Sequence, residues 1–333
     1  MARAWRIWAL LLLAALGAAA LALSSGSALV APWQVPRLLF APDGSAAAEV
    51  LNTLRLPRAT AAFATGGLLA LAGALMQVLL RNPLADPYVL GLSGGAAAGA
   101  LAVMWAGGAV WAVHGGAMAG ALLTIVLVFA LAQRDLARLA AASPQEHAPR
   151  LLLTGVMLAA GWTALITLML SLAPEAQLRG MLFWLAGDLG GSAAGGWPMG
   201  ALAALLALSW PLARDLNVLL RGPGVAQALG VRVQPLRRGV FLLASAAAAV
   251  AVTTAGSVGF VGLVVPHALR LAIGNDQRVL LPACVLAGGT LLLLTDTLAR
   301  TLVAPQQLPV GVITALLGVP SFLWLLLRHG SKR

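Results

Sequence analysis

Few side chains in this sequence could do chemistry, and most of those are arginines. Arg55 and Arg58 stand three residues apart in Leu54-Arg55-Leu56-Pro57-Arg58. A proline suits the first turn of a helix, so the pair reads as fixed positive charge where a helix starts. Such charge contacts phosphate headgroups or docks an acidic ligand or partner protein. Arg300 follows Asp296 at i, i+4 spacing, which lets the two pair on one helix face. The preferred reading is that Asp296 orients Arg300 rather than carrying protons. Metal-ligating types are scattered over His114, His147, His267, His329, Cys284, Tyr88 and eight methionines. No i, i+4 histidine pair is present to grip a metal. One cysteine excludes a disulfide framework or a multi-thiolate site. The single lysine, Lys332, excludes a Walker A loop. With no His-Glu-x-x-His motif either, neither an enzyme nor a resident metal or cofactor is expected.

The elements that must position these groups are membrane helices. The 333 residues are 61% hydrophobic and 9% charged, with mean hydropathy +0.94. A soluble domain carries about 25% charged residues, so this chain cannot coat its apolar surface for water. A helix crossing the hydrocarbon core needs about 20 apolar residues. Apolar runs at about 7–28, 59–80, 88–106, 114–133, 151–172, 195–213, 238–257, 258–274, 279–299 and 308–328 predict an all-α polytopic bundle of about ten helices. The run from Ile7 is continuous rather than alternating, which argues against an outer-membrane barrel. It exceeds the roughly 7–15 residues of a signal-peptide core and reads as a first span, with a cleaved signal as the competing reading. The eighth run is the weakest, interrupted by Pro266 and His267.

Charge supplies the orientation. With the N-terminus inside, positions 3, 6, 81, 134, 138, 150, 214, 221, 232, 237, 238, 270, 278, 328, 332 and 333 fall on the cytoplasmic side. Only positions 37, 55, 58, 179 and 300 fall outside. That asymmetry is the positive-inside bias. It accounts for the net charge of +11 without a nucleic-acid partner, and it puts both termini in the cytoplasm. The whole chain, 1–333, reads as a single transmembrane domain. Gly66, Gly67, Gly73, Gly91, Gly94, Gly95 and Gly99 let helix backbones approach, as packing in lipid favours.

Two inner-face segments differ from plain membrane helix. Arg81-Asn82-Pro83-Leu84-Ala85-Asp86-Pro87 is a turn between two prolines, with apolar Leu84 at the cytoplasmic mouth. An ordinary helical hairpin is the alternative to a plug there. The loop from Arg214 to Arg238 contains Gly222, Pro223, Gly224, Val225, Ala226, Gln227, Ala228, Leu229, Gly230 and Val231. This stretch predicts a short helix stopped at Gly230, suited to a groove in another protein.

These segments resemble a known family, together with Gly256-Ser-Val-Gly-Phe-Val-Gly-Leu-Val-Val-Pro-His-Ala-Leu-Arg270 and Leu308-Pro-Val-Gly-Val-Ile-Thr-Ala-Leu-Leu-Gly-Val-Pro320. They are similar to the FecCD-type permease subunits of type II ABC importers for vitamin B12, haem and ferric siderophores. Vitamin B12 permeases are closest in pattern. The resemblance runs from about Leu54 to Arg328. It implies a vitamin B12 permease-like bundle that works as a homodimer in the bacterial inner membrane. It also implies two cytoplasmic ATPase subunits, which bind the ATP and magnesium, and a periplasmic substrate-binding protein. Arg55, Arg58 and Arg300 then match arginines that meet acidic residues of the binding protein. Leu84 matches a hydrophobic gate residue, and Arg221–Val231 matches the helices that couple to the ATPase. A second gate position departs from the pattern, with His147-Ala148-Pro149 where B12 permeases carry small hydroxyl residues. The implied cargo is a large metal chelate, read as haem first, with cobalamin or a ferric siderophore as the alternative. The rival class, a secondary transporter or channel, usually shows midplane acidic or polar clusters; these midplane stretches are Ala, Leu, Gly and Val, with hydroxyls such as Thr163, Thr167 and Thr253.

Overall fold

The computed structural model describes residues 2–26, 30–138, 148–191 and 196–330. All regular structure among them is helical: α1 Ala2–Ser24, α2 Val35–Phe40, α3 Ala46–Val50, α4 Leu56–Leu79, α5 Leu92–Trp105, α6 Val110–Arg138, α7 Ala148–Leu172, α8 Glu175–Leu185, α9 Trp197–Ser209, α10 Ala213–Leu219, α11 Pro223–Ala228, α12 Val233–Ala255, α13 Val261–Ile273, α14 Gln277–Thr301 and α15 Val310–Gly330. A π-helical turn, Leu51–Arg55, joins α3 to α4, and 3-10 turns precede α5 and α10. Among the described residues, seven helices are long and apolar enough to cross a membrane, and three shorter apolar ones accompany them. They correspond one for one to the ten apolar runs.

The bundle is built around α4, which is buried over nearly its whole length and packs against α14, α12, α13 and α9. Glycine makes this possible at two crossings. A Cβ on Gly66 would run into the Gly288 carbonyl of α14, and one on Gly73 into the Gly262 carbonyl of α13. Backbone-to-backbone approach of this kind supplies the dense packing that replaces the hydrophobic effect between helices in lipid. By contrast, α7 is largely uncovered. Leu153, Val156, Met157, Leu168 and Leu172 are all exposed on it.

Two stretches read from sequence as outer loops are structured. The second apolar run begins well before residue 59, because α3 and the π turn lead directly into α4. The segment after α7 folds as α8, which sequence reading passed over because Glu175 and Arg179 break its apolar run. The third run also divides. Gly91, at φ +77°, separates the Pro87–Leu90 turn from α5, a conformation open to glycine without steric cost. Phe260 adopts a left-handed φ of +69° at the start of α13. This is a rare conformation for a bulky residue and costs on the order of 1–3 kcal/mol.

Candidate functional site

The three outer arginines converge because three helix ends meet there: the C-terminus of α1, the N-terminus of α4 and the C-terminus of α14. Asp296 holds two of them, Arg58 and Arg300. Its carboxylate, 1% exposed, accepts from Arg58 Nη2 at 2.9 Å and Nε at 3.1 Å, and from Arg300 Nε at 3.2 Å. The expected Asp296–Arg300 pairing is therefore present, and Arg58, 238 positions away, joins it. Arg58 Nη1 also donates to Gln307 Oε1 at 2.8 Å.

Arg55 takes a different position from the exposed cation expected of an outer surface. It is buried, and its Nη1 donates to the carbonyls of Leu23 at 2.8 Å and Ser24 at 3.3 Å. Arg300 Nη2 adds a bond to Ala22 O at 3.2 Å. The last carbonyls of a helix have no intrahelical donor and carry the negative end of its dipole, so two guanidinium groups cap α1. Gly26 leaves room for this, since a Cβ there would lie 2.7 Å from Arg55 Nη2. The cluster opens into a cavity of about 570 Å³ lined by Arg55, Arg58, Arg300, Thr301 and Gln307. Three arginines against one carboxylate leave the site positively charged.

On the opposite face, α4 ends in the turn that carries Leu84. Arg81 has a left-handed φ of +51°, and Asn82 Oδ1 accepts the Leu84 N–H at 2.9 Å. That Asx bond holds the turn and leaves the Leu84 side chain 43% exposed. Asp86 caps the following turn through the Tyr88 N–H at 2.7 Å. Burial raises its carboxyl above the usual range. The Pro87–Leu90 turn packs on α7, whose first residue is Ala148. His147 lies outside the described residues.

The expected short helix is α11. Gly222, at φ +118°, precedes Pro223 at its start. Gly230, at φ +81°, stops it: Val231 N donates to Ala226 O and Gly230 N to Gln227 O, both at 2.9 Å. This is a Schellman closure. Ala226 is fully buried on the subunit's side, whereas Val225 and Leu229 are 45% and 65% exposed. Gly224, Gln227 and Ala228 are exposed as well, with Val231 half-buried. The apolar knobs available to a partner are therefore Val225 and Leu229, and Ala226 belongs to the core. Among the described residues no group of three or more His, Cys, Asp or Glu could hold a metal.

The chain is thus a helical membrane bundle with a basic recess where α1, α4 and α14 meet and a short capped helix, α11, that exposes Val225 and Leu229. The FecCD transport family profile matches residues 10–328, and the chain belongs to that family. The vitamin B12 import system permease protein BtuC of Escherichia coli O127:H6 is 38% identical over 302 residues, covering 90% of this chain and 89% of the relative. The same protein of strain O6:H1 is equally similar. Among solved structures, an inward-facing metal-chelate type ABC transporter superposes with TM-score 0.82 at 29% identity, covering 97% of this chain and 99% of that one. The Streptococcus pneumoniae PsaBC complex, at TM-score 0.55 and 17% identity, shares the fold. The protein is an ABC importer permease of the FecCD and BtuC type.

Proposed function

We propose that this permease moves cobalamin across the bacterial inner membrane. The observation that carries this reading is 38% identity to vitamin B12 permeases over 90% of the chain. It favours cobalamin over haem, the first cargo that the family resemblance suggests. No residue of the chain singles out haem, and its histidines are dispersed.

Two copies form the working unit in this proposal, with α7, so little covered in one subunit, available to the second copy. ATP and magnesium are bound by two cytoplasmic ATPase subunits, consistent with a sequence that carries no Walker A lysine. Val225 and Leu229 of α11 seat in those subunits. Both termini are cytoplasmic. The outer recess around Arg58, Arg300 and Asp296 receives acidic side chains of a cargo-loaded periplasmic binding protein. Arg55 contributes from behind by holding α1 in place. Leu84, with Ala148 and His147 near the start of α7, forms the cytoplasmic gate.

The test is ATP hydrolysis by the complex reconstituted in lipid nanodiscs. Binding protein loaded with cobalamin should stimulate hydrolysis more than the same protein offered haem or a ferric siderophore. Stimulation by haem and not by cobalamin would overturn the assignment of cargo.

A further inference from the structure

We infer that the cavity between the N-terminal ends of α1 and α14 and the junction of α9 with α10 holds the headgroup of an anionic phospholipid. The cavity measures about 660 Å³ and is lined by Ala4, Trp8, Trp210, Pro211, Arg214, Asp276, Arg278 and Val279. It lies far from the outer arginine cluster, at the face that the arginine count places in the cytoplasm.

Its walls follow from a proline. In an α-helix the carbonyl of residue 278 accepts the N–H of residue 282, but residue 282 is Pro282, which has none. The indole of Trp210 supplies the missing donor, with Nε1 2.9 Å from Arg278 O. Trp8 Nε1 donates to the next carbonyl, Val279 O, at 3.1 Å. Both indole N–H groups are committed to the first turn of α14, so the rings are fixed as apolar walls at a membrane boundary. Tryptophan favours that depth.

The charges then select the occupant. Arg278 is locked by Asp276, with Nη2 2.8 Å from Oδ2 and Nε 3.0 Å from Oδ1. Asp276 Oδ1 also accepts from Asn217 Nδ2 at 2.7 Å. The carboxylate is thus fully engaged. Arg214 is exposed and makes no hydrogen bond or ion pair among the described residues. Two arginines against one carboxylate leave a net positive cavity, which a phosphodiester matches. Basic pockets between helices on the cytoplasmic side characteristically bind anionic headgroups. Acyl chains have a track beside it: Leu12 and Leu16 continue the Trp8 stripe of α1, both exposed. A free phosphate would use the arginines and leave this apolar track empty. A lipid uses both.

The test is native mass spectrometry of the detergent-purified full chain, offered dioleoyl phosphatidylglycerol and dioleoyl phosphatidylcholine in equal amounts. Phosphatidylglycerol should be retained about tenfold over phosphatidylcholine, and Arg214→Glu should abolish that preference. Arg214→Gln, the milder variant, should shift it in the same direction by less. Arg6→Glu should leave it unchanged, because Arg6 is two residues from Trp8 and so on another side of α1. Melting temperature, read in parallel, should rise with phosphatidylglycerol and not with inorganic phosphate. Equal retention of the two lipids, undiminished preference in Arg214→Glu, or equal stabilisation by inorganic phosphate would each overturn the lipid site. None of these outcomes bears on the cargo.

Discussion

Replacing Asp296 by asparagine tests whether the outer cluster is held by charge. The substitution preserves shape and removes the one negative charge facing Arg58 and Arg300. Both arginine side chains are 12% exposed and the carboxylate 1%, so water cannot take its place. Removing one partner of a buried ion pair costs about 3–5 kcal/mol, because the remaining charge is left uncompensated. Arg58 keeps its bond to Gln307 and Arg300 its bond to Ala22 O, which places the expected loss near the lower end, at about 3 kcal/mol. In a large domain each kcal/mol moves the melting temperature by about 2 °C, so a drop of about 6 °C is expected. The assay is a thermal melt in detergent, read by intrinsic tryptophan fluorescence, with Asp276→Asn as the matched control. Asp276 also pairs with an arginine, but in an exposed setting, where a pair contributes less than about 1 kcal/mol. A melting temperature for Asp296→Asn no lower than that of Asp276→Asn would refute the reasoning.

Three further outcomes are expected. Leu229→Glu should weaken ATPase attachment in a pull-down by tenfold or more while the melt is unchanged, whereas Ala226→Glu should lower the melt, because Ala226 is fully buried and a buried unpaired charge is costly. The Arg278 hydrogen bonds and then that of Asn217 hold the Asp276 carboxyl down at about 2. A carboxyl depressed in the fold stabilises it above the unfolded value near pH 4 and loses that contribution as pH falls toward 2. Asp276→Asn should therefore flatten the stability profile over that window, as pH-jump melts would record. Docking of the binding protein, followed on immobilised complex, should slow as salt rises, because the Debye length shortens to about 3 Å at 1 M; Arg58→Gln with Arg300→Gln should remove most of that salt dependence.

The spans were legible because lipid enforces them. Backbone groups in hydrocarbon must bond internally, which demands long unbroken apolar runs, and each of the ten left its mark. What interrupts such a run hides an element, as Glu175 and Arg179 hid α8. Asp296 and Arg300 were legible as a pair because one helical turn joins them. Arg58 was not, since its partner is 238 residues away and only the crossing of α4 with α14 brings them together. Arg55 looks like surface charge from its type and side of the membrane. Its burial depends on where α1 ends, which no local signal near Arg55 records. The short helix over 222–231 was readable from Gly-Pro-Gly and Gly230. Which of its residues face outward depended on how α11 seats against α10 and α12. Cargo left the weakest trace of all: no local motif separates haem from cobalamin, and the proposal of cobalamin rests on likeness to vitamin B12 permeases over 90% of the chain.

The central claim is that this chain forms the path of a cobalamin importer. The most direct measurement is uptake into proteoliposomes containing the permease with its ATPase, supplied with binding protein and radiolabelled cobalamin, with haem and a ferric siderophore in parallel vesicles. Cobalamin should accumulate only when ATP is enclosed with the ATPase and binding protein is present on the opposite side. Accumulation of haem or siderophore without cobalamin, or cobalamin entry that is indifferent to ATP, would contradict the account.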